Sequence, residues 1–356
     1  MIRISLCMIV KNEAALLGRC LDSVREVAEE IIIVDTGSTD ETKEIAGRYT
    51  EKIYDFPWAD NFSAARNFSF SKAAMDFIMW MDADDVLPPS QAAGLLALKQ
   101  TLAPETDMVT MKYHLAWDAQ GRVNLVSTRE RLLRRAADHR WAGRVHECIA
   151  MAGAVVHTPL YLEHRSGHDR SDRNLNIYET QRAQGLPFSA REMYYYAREL
   201  ADHGRYEAAA EQFEAFLAGG EGWFEDNIGA CLALGDCYRQ LADGQRRRLA
   251  LGRSFCYAPP RAQVCCALGY EAKERSDWES AVFWFEAALL APAQESFGFH
   301  AQDMAGYVPH LELCVCYDRL GRRERAAAHN EAAAEIKPDS AAVAQNRIYF
   351  SAYKET

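Results

Sequence analysis

The first half of the chain alternates between short apolar runs and amphipathic segments. The apolar runs are residues 2–10, 31–34, 52–54 and 77–81. The amphipathic segments are residues 13–27, 41–49 and 61–75. In residues 13–27, for example, Leu17, Leu21 and Val24 recur at the spacing of one helix face. This β-α alternation predicts a parallel sheet with helices on both faces, and residues 108–113 and 155–156 read as further strands.

The pattern changes near Asn174, where strand-like runs give way to helical spacing. Ala233-Leu234-Gly235 recurs as Ala267-Leu268-Gly269, an offset of 34 residues. Small residues at this offset, with a proline after the helical run, are typical of tetratricopeptide repeats. The apolar stripes of these segments are predicted to form the repeat core. The basic run Arg246–Arg248 is predicted to be a solvated helix face.

These two patterns predict two domains. Residues 1–172 form the α/β domain, residues 173–187 a linker, and residues 188–350 the all-α repeat superhelix. A chain of 356 residues is long enough for both domains to bury a core.

Charge and cysteine usage narrow the classes of function. The net charge of -11 argues against a nucleic-acid partner and against docking on anionic lipid. No apolar run approaches the length of a membrane span. The ten cysteines contain no C-x-x-C pair, which disfavours a zinc site, and most lie in apolar contexts. A reducing cytoplasm is the expected compartment.

The run Ile78-Met79-Trp80-Met81 leads directly into Asp82-Ala83-Asp84-Asp85. Open α/β sheets bind ligands at the carboxyl ends of their strands, and a second strand end carries Asp35. Clustered carboxylates repel one another, a cost that Mg²⁺ or Mn²⁺ would offset. Alternatively, the aspartates form a solvated turn, one of them capping a helix near Pro88-Pro89, and Asp35 is a turn residue.

Four blocks in order resemble the family 2 glycosyltransferases, nucleotide-sugar enzymes of the GT-A (Rossmann-like) fold. The blocks are residues 4–13, 31–40, 65–67 and 81–85. The resemblance covers about the first half of the chain. It implies that Asn12, Glu13 and Asp35 hold the nucleoside, and Ser38 lies in the same turn.

The resemblance also implies that Asp82 and Asp84 form the D-x-D element, which holds the ribose and, through Mn²⁺ or Mg²⁺, the donor diphosphate. Arg66 and Asn67 resemble family positions beside the donor pocket, although Arg66 could equally be a surface helix arginine.

The block Arg140–Glu147 resembles the Trp-x-Gly-x-Val-His-Glu block of a bacterial subgroup of the same family. Inverting sugar transfer needs one base to deprotonate the acceptor. Glu147 is the candidate base, and His146 could orient it, bind the diphosphate or act as the base itself. A salt-bridged surface pair is the alternative for both residues. His164 falls where related enzymes place a further metal or phosphate ligand, and a structural role is its alternative.

A sugar-transfer domain joined to repeats resembles the bacterial peptide S- and O-glycosyltransferases that modify bacteriocins, the sublancin type included. The resemblance implies a metal-dependent inverting enzyme that moves a sugar from a UDP-sugar to Ser, Thr or Cys of a peptide. Glucose is the first candidate for the sugar. The repeats would bind part of the peptide or protein acceptor, or form a homodimer instead. Transfer to a lipopolysaccharide-type glycan and a non-enzymatic repeat scaffold are the alternatives.

Overall fold

The computed structural model describes residues 1–166, 172–292 and 297–352. The chain divides into two compact units, the first formed by Met1–Glu192 with Phe297–Phe299, and the second by Met193–Ser296 with His300–Thr356. Within the described ranges, no helix combines the length and the apolarity that a membrane crossing requires.

The first unit is organised around a mixed β-sheet. The strands of this unit are β1 (Ile4–Val10), β2 (Glu30–Asp35), β3 (Ile53–Asp55), β4 (Phe77–Trp80), β5 (Asp85–Val86), β6 (Met108–Trp117), β7 (Val123–Arg134), β8 (Trp141–Ala142), β9 (Cys148–Ile149) and β10 (Val155–His164). The order across the sheet is β3-β2-β1-β4-β7-β6-β10-β5, and β8 and β9 pair separately.

The first four strands of this order are parallel, as the sequence predicts. β7 instead runs antiparallel to both β4 and β6. The predicted parallel pairing therefore holds for the four strands from which it was inferred, and the sheet as a whole is mixed because β7 is antiparallel. The chain returns from β6 through the turn 118–122 as a hairpin, and two strands joined this way must be antiparallel.

Among the described residues, the helices that lie wholly in this unit are α1 (Leu17–Val24), α2 (Thr42–Ala46), α3 (Phe62–Phe70), α4 (Pro89–Thr101) and α5 (Arg173–Ala183). α3 begins after Asn61, whose Oδ1 accepts a hydrogen bond from the Ala64 amide at 3.0 Å. α4 has Pro88 as its N-cap and no side chain bonded there. The alternative that an aspartate of the acidic run caps α4 is therefore wrong.

Alternate residues of β1 and β4 enter two different cores. Leu6, Met8 and Met79 join the apolar cluster on one face of the sheet. Cys7 and Trp80 join the cluster on the other face. Because both faces are covered, these strands read as continuous apolar runs, and polar side chains appear only where the strands end.

The second unit is a succession of helices. They are α6 (Ala190–Asp202, which begins at the end of the first unit), α7 (Tyr206–Gly219), α8 (Phe224–Gln240), α9 (Gly244–Arg253), α10 (Ala262–Glu274), α11 (Trp278–Leu290), α12 (Tyr307–Arg319), α13 (Arg323–Ile336) and α14 (Ala341–Ala352). A two-residue strand, β11 (His300–Ala301), precedes α12.

The recurring Ala-Leu-Gly motif marks close contacts between neighbouring helices. A Cβ atom added to Gly235 would lie 2.8 Å from the Leu251 side chain, and one added to Gly269 would lie 2.8 Å from Phe285. Real Cβ atoms do not approach other atoms this closely, so a larger residue would push the helices apart. The 34-residue repeat therefore has a packing cause, and the predicted repeat architecture is confirmed.

The predicted linker and the predicted basic helix face can be compared with the structure. The segment 173–187, predicted as a linker, contains α5, and Tyr178 of that helix is fully buried. The predicted domain limits themselves remain a prediction. Arg247, predicted to face solvent, is 5% exposed because its stem lies on the buried face of α9. Its guanidinium group pairs with Glu274.

Candidate functional site

The turns that follow β1 and β2 are tied together by hydrogen bonds. The Asn12 amide donates to Ser38 Oγ at 2.9 Å, and Asn12 Oδ1 accepts from the Thr39 amide at 2.8 Å. Asn12 has φ 56°, a left-handed conformation that asparagine tolerates better than most residues. The Glu13 amide donates to Thr42 Oγ1 at 2.7 Å. The predicted nucleoside residues Asn12, Glu13 and Ser38 thus lie together at the tips of neighbouring strands.

Asp35 ends β2 and is 1% exposed. Its Oδ2 accepts hydrogen bonds from the amides of Gly37 and Ser38, both at 3.0 Å. Gly37 has φ 102°, which this turn requires and other residues rarely adopt. Oδ1 of Asp35 is buried and has no hydrogen-bond partner among the described residues. An acceptor in that state favours a ligand that brings a donor group.

The acidic run lies at the end of β4, where its three carboxylates have different surroundings. Asp85 is fully buried and accepts from Arg131 Nη1 at 3.0 Å, Tyr113 Oη at 2.5 Å and the Asp82 amide at 3.1 Å. Asp82 and Asp84 are partly exposed. Asp85 therefore anchors the turn, and Asp82 and Asp84 are the more exposed carboxylates of the run.

His164 meets the acidic run through strand pairing, since β10 is antiparallel to β5 with His164 opposite Asp85. Its Nδ1 lies 3.4 Å from Asp84 Oδ1, 3.6 Å from Asp85 Oδ1 and 2.8 Å from Tyr113 Oη. Burial alone would lower the pKa of His164, but the two carboxylates outweigh it and raise the pKa to about 10. The two carboxylates thus favour a positive charge at this position.

The group Asp84, Asp85 and His164 has the chemistry of a metal site. One ligand atom from each residue lies within 4.8 Å of the others. Carboxylate oxygens suit Mg²⁺ and Mn²⁺, and imidazole suits several first-row metals. A bound cation would take the place of the proton on His164. Asp82, predicted as a ligand, lies outside this group, and its metal role remains a prediction.

Arg66 lies between two tryptophans and two carboxylates. Its guanidinium carbon is 5.0 Å from the Trp80 ring centre and 4.8 Å from that of Trp141. Nη2 donates to Asp82 Oδ1 at 2.8 Å, and Nε donates to Glu147 Oε1 at 2.5 Å. Arg66 is 7% exposed, so the alternative of a surface helix arginine is wrong.

Glu147 is held as a carboxylate by this contact. Burial alone would raise its pKa, but the charge of Arg66 outweighs burial and places the pKa below the ordinary value of 4.5. The Glu147 side chain is 10% exposed. The alternative of an exposed His146–Glu147 ion pair therefore fails for Glu147.

The segment that carries His146 and Glu147 is fixed at both ends. Asn67 donates to the Trp141 carbonyl at 3.0 Å and accepts from the Trp141 amide at 2.9 Å. The His146 carbonyl accepts from Arg191 Nε at 3.0 Å. His146 has φ 51°, which is uncommon for a residue other than glycine and is often found at functional sites.

The sequence interpretation missed two residues that organise this site, Arg131 and Tyr113. Arg131 is fully buried, with its guanidinium carbon 3.8 Å from the Trp80 ring centre and 4.4 Å from that of Tyr113. Arg131 stands close to Arg129, Glu130 and Arg134 in the sequence, so nothing there marks it as the buried residue. Nothing in the sequence around Tyr113 distinguishes it from an ordinary strand residue.

Comparison with known proteins finds similarity over parts of the chain. Residues 5–155 match the model of the family described as Glycosyl transferase family 2. A 215-residue stretch is 26% identical to the SPbeta prophage-derived glycosyltransferase SunS of Bacillus subtilis, covering 54% of this chain and 48% of that protein.

An 87-residue stretch is 49% identical to the TPR repeat-containing protein Synpcc7942_0270 of Synechococcus elongatus, covering 24% of this chain and 22% of that protein. This chain therefore spans about a fifth to a half of the length of these two relatives. Among solved structures, glucosyl-3-phosphoglycerate synthase of Mycobacterium tuberculosis, in complex with Mn²⁺ and UDP-glucose, matches with a TM-score of 0.36 and 15% identity, over 53% of this chain and 81% of that one.

Proposed function

Because residues 5–155 match the model of the family 2 glycosyltransferases, we propose that this protein is a metal-dependent, inverting glycosyltransferase. Its donor is a UDP-sugar, for which UDP-glucose is our first candidate. Its acceptor is a Ser, Thr or Cys side chain of a peptide. The observation that carries the proposal is the meeting, at one end of β4, of the Asp84–His164 group with the Asp82–Arg66–Glu147 ion pairs.

The donor is assigned to the tips of β1, β2 and β4. Asn12, Glu13 and Ser38 line the nucleoside side, and Asp35 Oδ1 accepts a hydrogen bond from the base or ribose. Asp84 and His164 would hold Mn²⁺ or Mg²⁺, with Asp82 of the same turn as a further proposed ligand. When bound, the cation neutralises charge on the diphosphate and so supports its departure. Arg66, fixed between two rings, supplies a further positive charge on the same side.

Glu147 is assigned as the base. As the acceptor oxygen or sulfur attacks the anomeric carbon, the bond from that carbon to the diphosphate breaks and the acceptor proton passes to Glu147. Its pairing with Arg66 keeps the carboxylate ionised and oriented. The same pairing lowers its affinity for a proton, so the Arg66 contact has to loosen during transfer. His146, its neighbour in sequence, is the alternative base.

The peptide acceptor is assigned in part to the helical repeats. Stacked helix pairs such as α10–α11 and α12–α13 build extended surfaces suited to an extended chain. The similarity to SunS, a glycosyltransferase by name, favours an enzyme over a non-enzymatic scaffold. The burial of Arg66 and Glu147 favours it too, since a decayed site would not be expected to retain this costly arrangement. The cytoplasm remains the proposed compartment.

Mass spectrometry tests this function. The full chain is incubated with a panel of nucleotide sugars, Mn²⁺, and peptides that differ only in Ser, Thr, Cys or Ala at one position. The proposal expects one added sugar on the reactive peptides and none on the Ala peptide. Transfer only to added glycans would establish the glycan alternative. If neither transfer nor donor hydrolysis occurs with any nucleotide sugar, the scaffold alternative is favoured.

A further inference from the structure

Two histidines of the second unit face each other across a helix pair. His310 on α12 and His329 on α13 approach with their Nδ1 atoms 2.9 Å apart. Their ring centres are 5.2 Å apart and their planes are tilted by 36°. Both side chains are partly exposed, so an ion from solvent can reach them. Neither residue belongs to the candidate site of the first unit, and the proposed sugar transfer uses neither.

The two nitrogens can be joined either by one shared proton or by a bound cation. Each neutral imidazole carries one N–H, so one Nδ1 proton can be shared between the two rings. Burial lowers the pKa of both histidines, although Glu335 opposes this at His310 and Glu286 opposes it at His329. The neutral form, which is the form that binds metals, is therefore favoured near neutral pH. Arg325 adds a positive charge near His329 that disfavours a second proton there.

The separation of the two nitrogens matches a particular coordination geometry. With metal–nitrogen bonds of about 2.05 Å, two ligands at a right angle lie about 2.9 Å apart, and two ligands at a tetrahedral angle lie about 3.4 Å apart. The observed 2.9 Å therefore fits adjacent positions of a square-planar or octahedral ion. Cu²⁺ and Ni²⁺ prefer those geometries and bind imidazole well.

Packing holds His329 in place before any ion binds. Its ring stacks on Tyr317, with ring centres 5.4 Å apart and planes 11° apart. Tyr317 Oη in turn donates to Glu286 Oε1 on α11 at 2.5 Å. A ligand that is fixed by its neighbours loses less conformational freedom on binding, which strengthens a site with few ligands.

We propose that His310 and His329 form a binding site for a divalent transition-metal ion, Cu²⁺ or Ni²⁺ by geometry, with water completing the coordination. The ion would add a further link between α12 and α13, which already pack against each other and are joined by a short turn. Its structural effect is to restrain this helix pair. The site would therefore stabilise the end of the repeat array without taking part in sugar transfer.

Electron paramagnetic resonance of Cu²⁺ tests the site directly. The full chain is prepared with His164→Gln, which removes the imidazole of the other candidate metal group. One equivalent of Cu²⁺ is then added, and the nitrogen couplings count the bound imidazoles. The expected result is one ion with two imidazole ligands. His310→Gln and His329→Gln should each remove one coupling and weaken Cu²⁺ binding at least about tenfold, since each removes half of the protein's ligands.

His203→Gln, in the turn that follows α6 in the same unit, is the matched control and should leave both couplings in place. Circular dichroism before metal addition establishes that each variant is folded. Bound Cu²⁺ should also raise the unfolding temperature of the parent protein and not that of the double variant. One coordinated imidazole in the parent, or couplings unchanged in both His310→Gln and His329→Gln, would overturn the proposal and leave a histidine–histidine hydrogen bond.

Discussion

Arg66 and Glu147 form an ion pair in which Nε of Arg66 donates to Oε1 of Glu147 at 2.5 Å, with side chains 8% and 10% exposed. The same guanidinium donates to Asp82, so one cation links the candidate base to the acidic run. Removing the arginine would leave two neighbouring carboxylates without their partner in a partly desolvated site. The pair is therefore expected to affect both the free energy of unfolding and the transfer reaction.

The first prediction concerns stability. Arg66→Ala should destabilise the first unit by about 3–5 kcal/mol, because Glu147 would be left as a buried and unpaired charge. Urea unfolding followed by tryptophan fluorescence measures the change. Arg3→Ala is the control, since Arg3 and Asp76 form an exposed pair, and it should cost less than about 1 kcal/mol. Equal effects of the two substitutions would show that burial of the Arg66 pair contributes nothing.

The second prediction concerns pH. The pKa of Glu147 is lowered in the folded protein, so the unfolded chain binds its proton first on acidification. The stability that the carboxylate contributes is therefore present above its ordinary pKa of 4.5 and is lost as the pH falls toward the lower folded value. Comparing the free energy of unfolding of the wild type with that of Glu147→Gln across about pH 3 to 7 measures this. A difference that grows on acidification would contradict the ion pair.

The third prediction concerns the base. Glu147→Gln should lower turnover by roughly a hundredfold or more and leave donor binding intact, because it removes a proton acceptor and keeps the shape. A cysteine acceptor should show a smaller loss, since a thiol gives up its proton more readily than a hydroxyl. Glu105→Gln, on an exposed loop, is the control. If Glu147→Gln turns over at the control's rate, His146 becomes the base to test.

The fourth prediction concerns the repeats. A chain that ends at Glu192, the limit of the first compact unit, should still bind a UDP-sugar but fail to modify a peptide. Circular dichroism must first establish that it folds, because truncation can expose an apolar docking surface. Light scattering then separates acceptor binding from dimerisation. A folded, monomeric truncation that modifies the peptide at full rate would leave the repeats a role in assembly only.

The sequence predicted most of what is local in this fold. Apolar runs located β1, β2 and β4, and the Ala-Leu-Gly recurrence located the repeat contacts at Gly235 and Gly269. It did not reveal β7 as an antiparallel strand between β4 and β6, because pairing order depends on contacts far apart in sequence. The hairpin turn at residues 118–122, which joins β6 to β7, was not recognised in the sequence.

The site was predictable to a similar extent. Asp35, Asp82 and Asp84 follow apolar runs, so their place at strand ends could be read from the chain. The contact of Arg66 with Glu147, which lie 81 residues apart, could not be read this way. Nor could the meeting of His164 with the acidic run, since it depends on the pairing of β10 with β5. Spacing locates residues on one element, but tertiary pairing decides which elements meet.

The last prediction concerns the metal site, on which the proposed chemistry depends. Asp84→Asn removes a charged oxygen beside His164 and keeps the shape of the side chain, so it should weaken Mn²⁺-dependent donor binding strongly. Asp236→Asn, at an exposed helix position, is the control and should bind as the wild type does.

Titration of the full chain with a UDP-sugar by calorimetry, with Mn²⁺ and again with excess chelator, is the most direct test. We expect tight binding for the wild type and Asp236→Asn in Mn²⁺, and strong weakening both in chelator and in Asp84→Asn. Equal affinity of the wild type and Asp84→Asn, unchanged by chelator, would contradict a metal-dependent donor site at the end of β4.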